Sequence, residues 1–470
     1  MKNEKKHSGK TRAKQGPAAV IPEPNKIAGS TPFDFDGKNL TPYGGLFPVA
    51  TMLEKLEFQK LVEEMLTVKR RPRFMSVYQF VMAMVLAIYV GFSRLNHLRS
   101  VANDPMLTGL LKVASLPGQS TFWRFCASLH LTVARQLLEL QQVLRQRVWE
   151  AANLQLPAIT VDTDTTVHTL YGNQMGARKS YNPKNQGKKS YQPILTFIAE
   201  TREYIWGELR NGDRPDGKQI ARHLTAVFAA LPGCVGRLFA RADSGFYCWE
   251  AVQAYEHAKA CFILVARKTS RLLDHLQAAA WKPSPETDAD QQCEFWYQPE
   301  GWSKTYRFIA LRYKNDKPPQ KREQYQLLDT WTVRLLPWCG STISGAAAEN
   351  LVKEANNDAG LAAHPSQRWA TNCVHFQLVM LAYNLNCWLL LFNREEEVQT
   401  DHLKHTTLAT ARLRFLFVAA KIWRHSGRVG ISYSDQYQEK GLLQRLMDRL
   451  RSITVGPTGF LPVVATPLTC

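Results

Sequence analysis

VDTDTT at residues 161–166, followed by YGNQMGARKSYNPKNQGKKSY at 171–191, decides how this chain is read. Residues 159–167 are rich in β-branched side chains, which favour a strand. Side chains alternate along a strand, so Asp162, Asp164 and Thr166 share one face while Val161, Thr163 and Thr165 share the other. Two carboxylates on one face are costly unless a cation neutralises them, and hard oxygen ligands suit Mg²⁺. Arg178, Lys179, Lys184, Lys188 and Lys189 follow within a single loop. That loop is an odd neighbour for a small-molecule site but suits a polyphosphate backbone. The plainer alternative is a solvated strand end followed by a charged loop.

Working outward, a chain of 470 residues can bury a large core and should form roughly two to four domains. A net charge of +19 favours a polyanionic partner. A membrane surface is the competing partner, but no signal peptide or lipidation motif is visible. Two apolar stretches, 74–92 and 373–392, carry polar groups: Ser76, Tyr78 and Gln79 in the first, His375, Gln377, Asn384 and Asn386 in the second. Such groups are expensive in lipid, so buried core helices and no membrane are expected. Nine cysteines without a CxxC pair point to a reducing cytoplasm and no zinc site. Twelve histidines without HxH or HExxH spacing exclude a zinc hydrolase. No Walker-type loop is present, which removes nucleotide hydrolysis.

Residues 1–35 read as a flexible basic arm, with seven Lys/Arg against two Glu in the first 30. Residues 40–154 read as an all-helical domain, with apolar residues at three-and-four spacing. A basic cluster containing Arg70 and Arg71 lies between two of its helices, and Ser120 or Thr121 is placed to cap a helix carrying Arg124. DNA binding is the expected role, and a purely packing role is the alternative. The period then changes. Strands are predicted at 158–168, 191–200, 204–210, 235–242 and 261–268, with helices at 217–231 and 248–259, giving a mixed sheet flanked by helices. Residues 270–345 read as a β-rich insertion with short strands around EFWYQ, TYRFIALRY and QYQLLDTWTVRLL. Helix resumes over 346–395. Residues 396–470, including KIWRHSGR and LLQRLMDRLRS, read as a basic helical C-terminal region.

Two more carboxylates fit the first. Asp243 ends the predicted strand VGRLFARAD and precedes Ser244-Gly245, where α/β sheets bind ligands. Standing alone, it would be as well explained as a turn or capping residue. Glu349 opens the helix ENLVKEANND, with Lys353 one turn later on the same face. Alone it would be a helix-start residue favoured by the dipole. Carboxylates in the order Asp, Asp, Glu on two strands and a late helix suit a pair of metal ions about 4 Å apart acting on a phosphodiester.

Residues 40–450 resemble the bacterial insertion-sequence transposases with an RNase H-like DDE core, in the branch whose core is interrupted by a β-rich insertion. The resemblance rests on DTDTT with YGNQMGA and YNP, on RADSGF, on ENLVKE and on LAYNL. It implies an α/β fold: an RNase H-like mixed-sheet catalytic core at 155–269 and 346–395, the β-rich insertion within it, and the all-helical DNA-binding domain ahead of it. It also implies cut-and-paste transposition, with Asp164, Asp243 and Glu349 binding two Mg²⁺, for which Mn²⁺ can substitute. Asp164 is preferred to Asp162 because the family's aspartate sits directly ahead of the Thr-containing end of the strand, and Asp162 is then a carboxylate just behind the ligands. The expected partners are double-stranded DNA, as terminal inverted repeats and as target, and a second copy in a homodimer on DNA. Arg70, Arg71, Arg124, Arg178, Lys179, Lys184, Lys188, Lys189 and Lys353 are the expected DNA contacts. The expected location is the cytoplasm, at the nucleoid.

One departure from the pattern bears on activity. In this branch a Tyr and an Arg, seven and four residues ahead of the catalytic glutamate, would grip a DNA phosphate. Here those positions are Thr342 and Gly345, within CGSTISG at 339–345. The codons TGC GGT TCT ACA ATC AGC GGG encode CGSTISG, and the same bases read two positions later begin RFYNQR, with Tyr and Arg where the family has them. Out-of-frame translation of part of 325–345 accounts for the difference, and family divergence is the alternative. A catalytically impaired, repeat-binding remnant is therefore the rival function, and a general RNase H-like nuclease is disfavoured by the large helical front region. Trp296 and Trp302 in the insertion are expected to be core residues rather than clamps for a flipped base.

Overall fold

The computed structural model describes residues 27–68, 73–154, 156–233, 235–284, 289–314, 331–338, 347–394 and 406–456. Its contacts divide into Met1–Lys38 and Asn39–Cys470. In the first unit the described residues are exposed, and Phe33 and Phe35 meet edge to face.

The front of the larger unit is helical, as its periodicity predicts, with helices Leu46–Lys55, Phe58–Met65, Val77–Val90, Pro105–Leu111, Gln119–Ser128 and Leu131–Ala151. Val77–Val90 shows how local chemistry sets the bounds. Ser76 accepts from the Gln79 N–H while the Gln79 side chain accepts from the Ser76 N–H, a reciprocal cap. Gly91, at φ 108°, ends the helix in a left-handed conformation that costs glycine nothing. Being apolar on all sides, this helix is buried over most of its length. The Gln119–Ser128 helix differs from expectation at its start. Gly118 is the flanking residue, which leaves Ser120 and Thr121 inside the first turn, and the Thr121 hydroxyl instead accepts from Arg124 at 3.2 Å.

Among the described residues, nine strands form one sheet in the order Tyr204–Glu208, Ile194–Ile198, Leu156–Thr165, Val235–Ala242, Cys261–Leu264, Trp331–Trp338, Tyr306–Lys314, Gln291–Tyr297, Lys282–Pro283. Leu156–Thr165 runs parallel to Val235–Ala242, which runs parallel to Cys261–Leu264, and the remaining pairings are antiparallel. The predicted strand 158–168 breaks, because His168–Leu170 turns aside to pair with Lys189–Tyr191 as a separate ribbon. The strands of the predicted insertion do not stand apart. Trp338 pairs with Ile263, so they prolong the central sheet. Helices Gly217–Ala229 and Trp249–His257 lie close to the predicted ranges and pack on each other.

The helix Trp369–Phe392 packs against Leu131–Ala151 and Val77–Val90, so the helical front and the sheet share one hydrophobic core. It is long and apolar enough to cross a membrane, yet 83% of its most apolar window is buried inside the protein. Its polar residues explain why it belongs there. Asn384 accepts from the Tyr204 N–H and donates to the Tyr204 carbonyl, both at 2.8 Å, and the Gln377 amide donates to Gly207 O at 2.9 Å. These carboxamides satisfy backbone groups of the outermost strand that have no neighbouring strand. Behind them Arg145 and Glu203 are both fully buried as an ion pair, 3.6 Å apart, and Trp149 donates to Glu203 at 3.0 Å. Asn384→Leu should orphan the Tyr204 N–H, while the Tyr204 carbonyl keeps its bond from Arg145 at 2.6 Å, and cost about 1–3 kcal/mol in denaturant unfolding. An unchanged midpoint would mean that these bonds contribute nothing net.

The C-terminal region corrects the sequence reading. KIWRHSGR is not helical: Ala420–His425 and Arg428–Tyr433 form an antiparallel hairpin, joined by Leu40–Thr41 as a third strand. Ser426 and Gly427 have φ of 48° and 74°, the two left-handed residues of a tight type I′ turn. The final helix, Lys440–Arg451, follows the expected pattern.

Candidate active site

Leu156–Thr165 and Val235–Ala242 run side by side with Thr163 opposite Ala242. The next residues on the two chains are Asp164 and Asp243, so both carboxylates emerge at neighbouring carboxyl ends of parallel strands, where strand spacing is about 4.8 Å. Asp164 is half-buried, and its Oδ1 accepts the Thr165 N–H at 2.7 Å. Asp243 is exposed and caps the short turn Ser244–Phe246, accepting from the Gly245 N–H at 2.9 Å. Arg267 braces that turn by donating to Ser244 O at 2.9 Å and Gly245 O at 3.2 Å.

Glu349 lies exposed in the first turn of helix Ala347–Asn357, which packs on the Leu156–Thr165 strand. Four side chains tie the far end of that helix to the strand's exit. Asn356 donates to Thr166 Oγ1 at 3.2 Å and meets His168 Nε2 at 2.8 Å, and His168 Nδ1 lies 2.9 Å from His364 Nε2. Burial lowers both rings, His168 to about 4 and His364 to about 3, so both are neutral near pH 7.

The charges of the acidic residues act on one another. Asp164 is pushed up to about 7, first by burial, then by the negative charge of Asp243, with Glu349 and Asp162 adding to it against the Thr165 N–H. Asp243 is also raised, because neighbouring atoms strip hydration from its carboxylate although the residue stays open to solvent. Gly245 N–H, Arg267 and Arg214 oppose that shift. Asp162 is placed differently. It is 1% exposed and held by both arms of Arg241, Nε to Oδ1 at 2.6 Å and Nη2 to Oδ2 at 2.7 Å. Its charge is already matched, which leaves Asp164 as the carboxylate of the pair open to a cation.

Among the described residues, no three His, Cys, Asp or Glu side chains are gathered closely enough to chelate an ion as they stand. The donor set nevertheless fits a hard divalent ion. Asp164 and Asp243 are oxygen donors at adjacent strand ends, Glu349 is near enough for its charge to reach Asp164, and their mutual repulsion is what a cation would relieve.

The basic loop is firmly built. Gly176 sits at φ 80°, where a Cβ would come within 2.8 Å of Trp369, and Tyr191 Oη donates to Met175 O at 2.5 Å. Asn182 is buried and donates to Thr169 Oγ1 at 3.0 Å. Lys179, Lys184 and Lys188 are exposed on this frame, and Lys189 is half-buried in the Lys189–Tyr191 strand. Arg178 is exposed but paired with Asp213 at 3.2 Å. Arg124 and Lys353 are exposed on their helices. Arg70, Arg71 and the 339–345 segment lie outside the described residues. Of the two tryptophans, Trp302 is a core residue against Tyr247 and Trp249, whereas Trp296 is 69% exposed on its strand and is not.

Sequence reasoning missed Arg241, Arg267 and the His168–His364 pair. Arg241 was visible as the first residue of RADSGF, two positions before Asp243 on the same strand. The two histidines are 196 positions apart, and no local pattern joins them.

Residues 29–455 match the family described as transposase DDE domain group 1, and the chain belongs to that family. Among solved structures it is similar to the piggyBac transposase synaptic complex with hairpin DNA, at 12% identity and TM-score 0.38, covering 88% of this chain and 86% of that one. No curated protein sequence matches it.

Proposed function

We propose that this protein cuts and joins the DNA ends of its own insertion sequence, using a metal-dependent site formed by Asp164, Asp243 and Glu349 in an RNase H-like core. The observation that carries the reading is the pair of aspartates at neighbouring ends of parallel strands in a chain of the DDE transposase family. The three carboxylates would hold Mg²⁺ or Mn²⁺, which when bound sharpens the attacking oxygen and stabilises the leaving one. The chain's own part is positioning. Arg241 takes Asp162 out of competition, Arg267 fixes the turn after Asp243, and Asn356 with the histidine pair seats the helix of Glu349. Lys179, Lys184, Lys188, Arg178, Arg124 and Lys353 would hold phosphates, and the site works on double-stranded repeat and target DNA as a homodimer at the nucleoid. The rival reading, a repeat-binding remnant without cleavage, is favoured by the CGSTISG segment. Incubating the protein and Mg²⁺ with terminal-repeat DNA separates the two: strand cleavage supports the enzyme, and binding without cleavage supports the remnant.

Affinity for DNA should fall steeply between about 50 and 200 mM salt, because each neutralised phosphate releases counterions. A nearly flat response would remove the polyelectrolyte contribution. Metal binding should depend on pH through Asp164. The folded protein holds this proton up to about 7 against an ordinary 3.8, so the group's contribution to stability is full below 3.8 and is lost as pH rises through about 7. Mg²⁺ should therefore raise the melting temperature markedly at pH 8 and little at pH 5.5, and Asp164→Asn should flatten that difference. Equal Mg²⁺ effects at both pH values in the unaltered protein would show that Asp164 is not a ligand.

A further inference from the structure

The hairpin of Ala420–His425 and Arg428–Tyr433 is not part of the carboxylate site, and its two faces differ. Ile422, Val429, Ile431 and Tyr433 share one face and line a groove with Phe47, Met106, Leu443 and Met447. Ile422, Ile431 and Tyr433 at the base of that face are half-buried against the body of the protein, whereas Arg424 and Val429 nearer the turn are exposed. Lys421, Trp423 and His425 alternate onto the opposite face, with Arg428, Gly430 and Ser432 across from them. All of these except Gly430 are exposed, and none makes an ion pair among the described residues. No Asp or Glu occurs from Thr406 to Ser434. Gly430 gives the face its shape. A Cβ there would come within 2.0 Å of the Trp423 indole, so glycine lets the ring lie flat across the ribbon. The result is a narrow ribbon, joined by Leu40–Thr41 at its base and two-stranded from Trp423 to Gly430, with Lys421 at the base, His425 and Arg428 at the turn, and between them an indole that is 40% exposed.

We infer that this face of the hairpin is a second DNA contact, laid along a groove of the duplex outside the cleavage site. The inference rests on the reading of the protein as a transposase. Three features select duplex DNA as the occupant. A two-stranded ribbon fits the major groove, about 12 Å wide. Lys421 and Arg428 suit phosphates, and the exposed His425 ring can donate a hydrogen bond to one. The indole offers an apolar surface to base edges or sugars between the phosphate contacts. The strand alternation that turns Ile422 and Ile431 toward the body of the protein fixes which side chains face the DNA.

The test uses full-length protein and a fluorescent duplex over a salt series. Lys421→Gln with Arg428→Gln should weaken binding at least about tenfold and lower the slope of log affinity against log salt by about two, roughly one per phosphate contact. Lys259→Gln with Lys282→Gln, also exposed and outside the regions expected to contact DNA, should leave the slope unchanged. Circular dichroism of both variants checks that the fold is retained, and the charge-reversed Lys421→Glu with Arg428→Glu should weaken binding further. Binding by the hairpin variants equal to that of the unaltered protein overturns the hairpin contact and leaves the transposase reading standing. Failure of the unaltered protein to bind any duplex overturns both. Loss of binding to anionic lipid vesicles, with DNA binding intact, assigns the face to a membrane instead.

Discussion

Restoring the reading frame so that 340–345 supplies RFYNQR should raise cleavage of terminal-repeat DNA by about a hundredfold over the chain as written. The three carboxylates of the proposed site are all present and Asp164 and Asp243 end neighbouring strands, so on that reading what is missing is the Tyr and Arg expected to grip a phosphate ahead of Glu349. An Arg fork binds two phosphate oxygens at once, and a Tyr hydroxyl supplies a third hydrogen bond. Positioning dominates this chemistry, and a misplacement of about 1 Å costs roughly a hundredfold. Metal binding should be nearly unchanged, so the gain belongs in the rate at saturating Mg²⁺. Equal rates for the two chains would make the segment natural divergence and end the decay hypothesis.

In the restored chain, Asp243→Asn should abolish cleavage, by about a thousandfold or more, since losing several kcal/mol of transition-state charge stabilisation is worth that much. The substitution keeps the shape of the turn, because a carboxamide oxygen can still accept the Gly245 N–H. Stability should therefore change little. Asp162→Asn should give the opposite profile. It removes the charge that both arms of Arg241 hold and costs about 1.5–3 kcal/mol of stability, while the proposed metal ligands remain. If Asp162→Asn silenced cleavage without affecting stability, and Asp243→Asn did not silence it, the assignment of ligand and neighbour would have to be exchanged.

The strands and helices around Asp164 and Asp243 were legible because their signals are local. β-Branched alternation marks Leu156–Thr165, and an aspartate followed by Ser-Gly marks a strand end. The three-and-four spacing of apolar residues likewise announced the front helices. Basicity misled at KIWRHSGR, where the decisive signal was Ser426-Gly427, a pair suited to a tight hairpin turn. The joining of the insertion to the central sheet could not be read, because the pairing of Trp338 with Ile263 spans a long gap and leaves no local pattern. The same holds for Arg241 with Asp162 and for His168 with His364: each pair forms only after distant strands and loops have met. Composition showed that polar residues inside the 373–392 stretch argue against lipid, but not that they serve the backbone of Tyr204 and Gly207.

Those carboxamides have a consequence for how copies of the protein can associate. With Asn384 and Gln377 occupying Tyr204 and Gly207, the outer rim of the sheet offers no free ladder there for a second molecule to extend. The opposite rim is Lys282–Pro283, two residues long, and proline has no N–H to offer. Extending the nine-stranded sheet edge to edge, a short route to fibres and to a two-fold pair, is closed at Tyr204 and Gly207 and at Lys282–Pro283. Two molecules gathered on paired DNA ends would then meet through helices, loops, the small C-terminal sheet or the DNA itself, and not by prolonging the nine-stranded sheet.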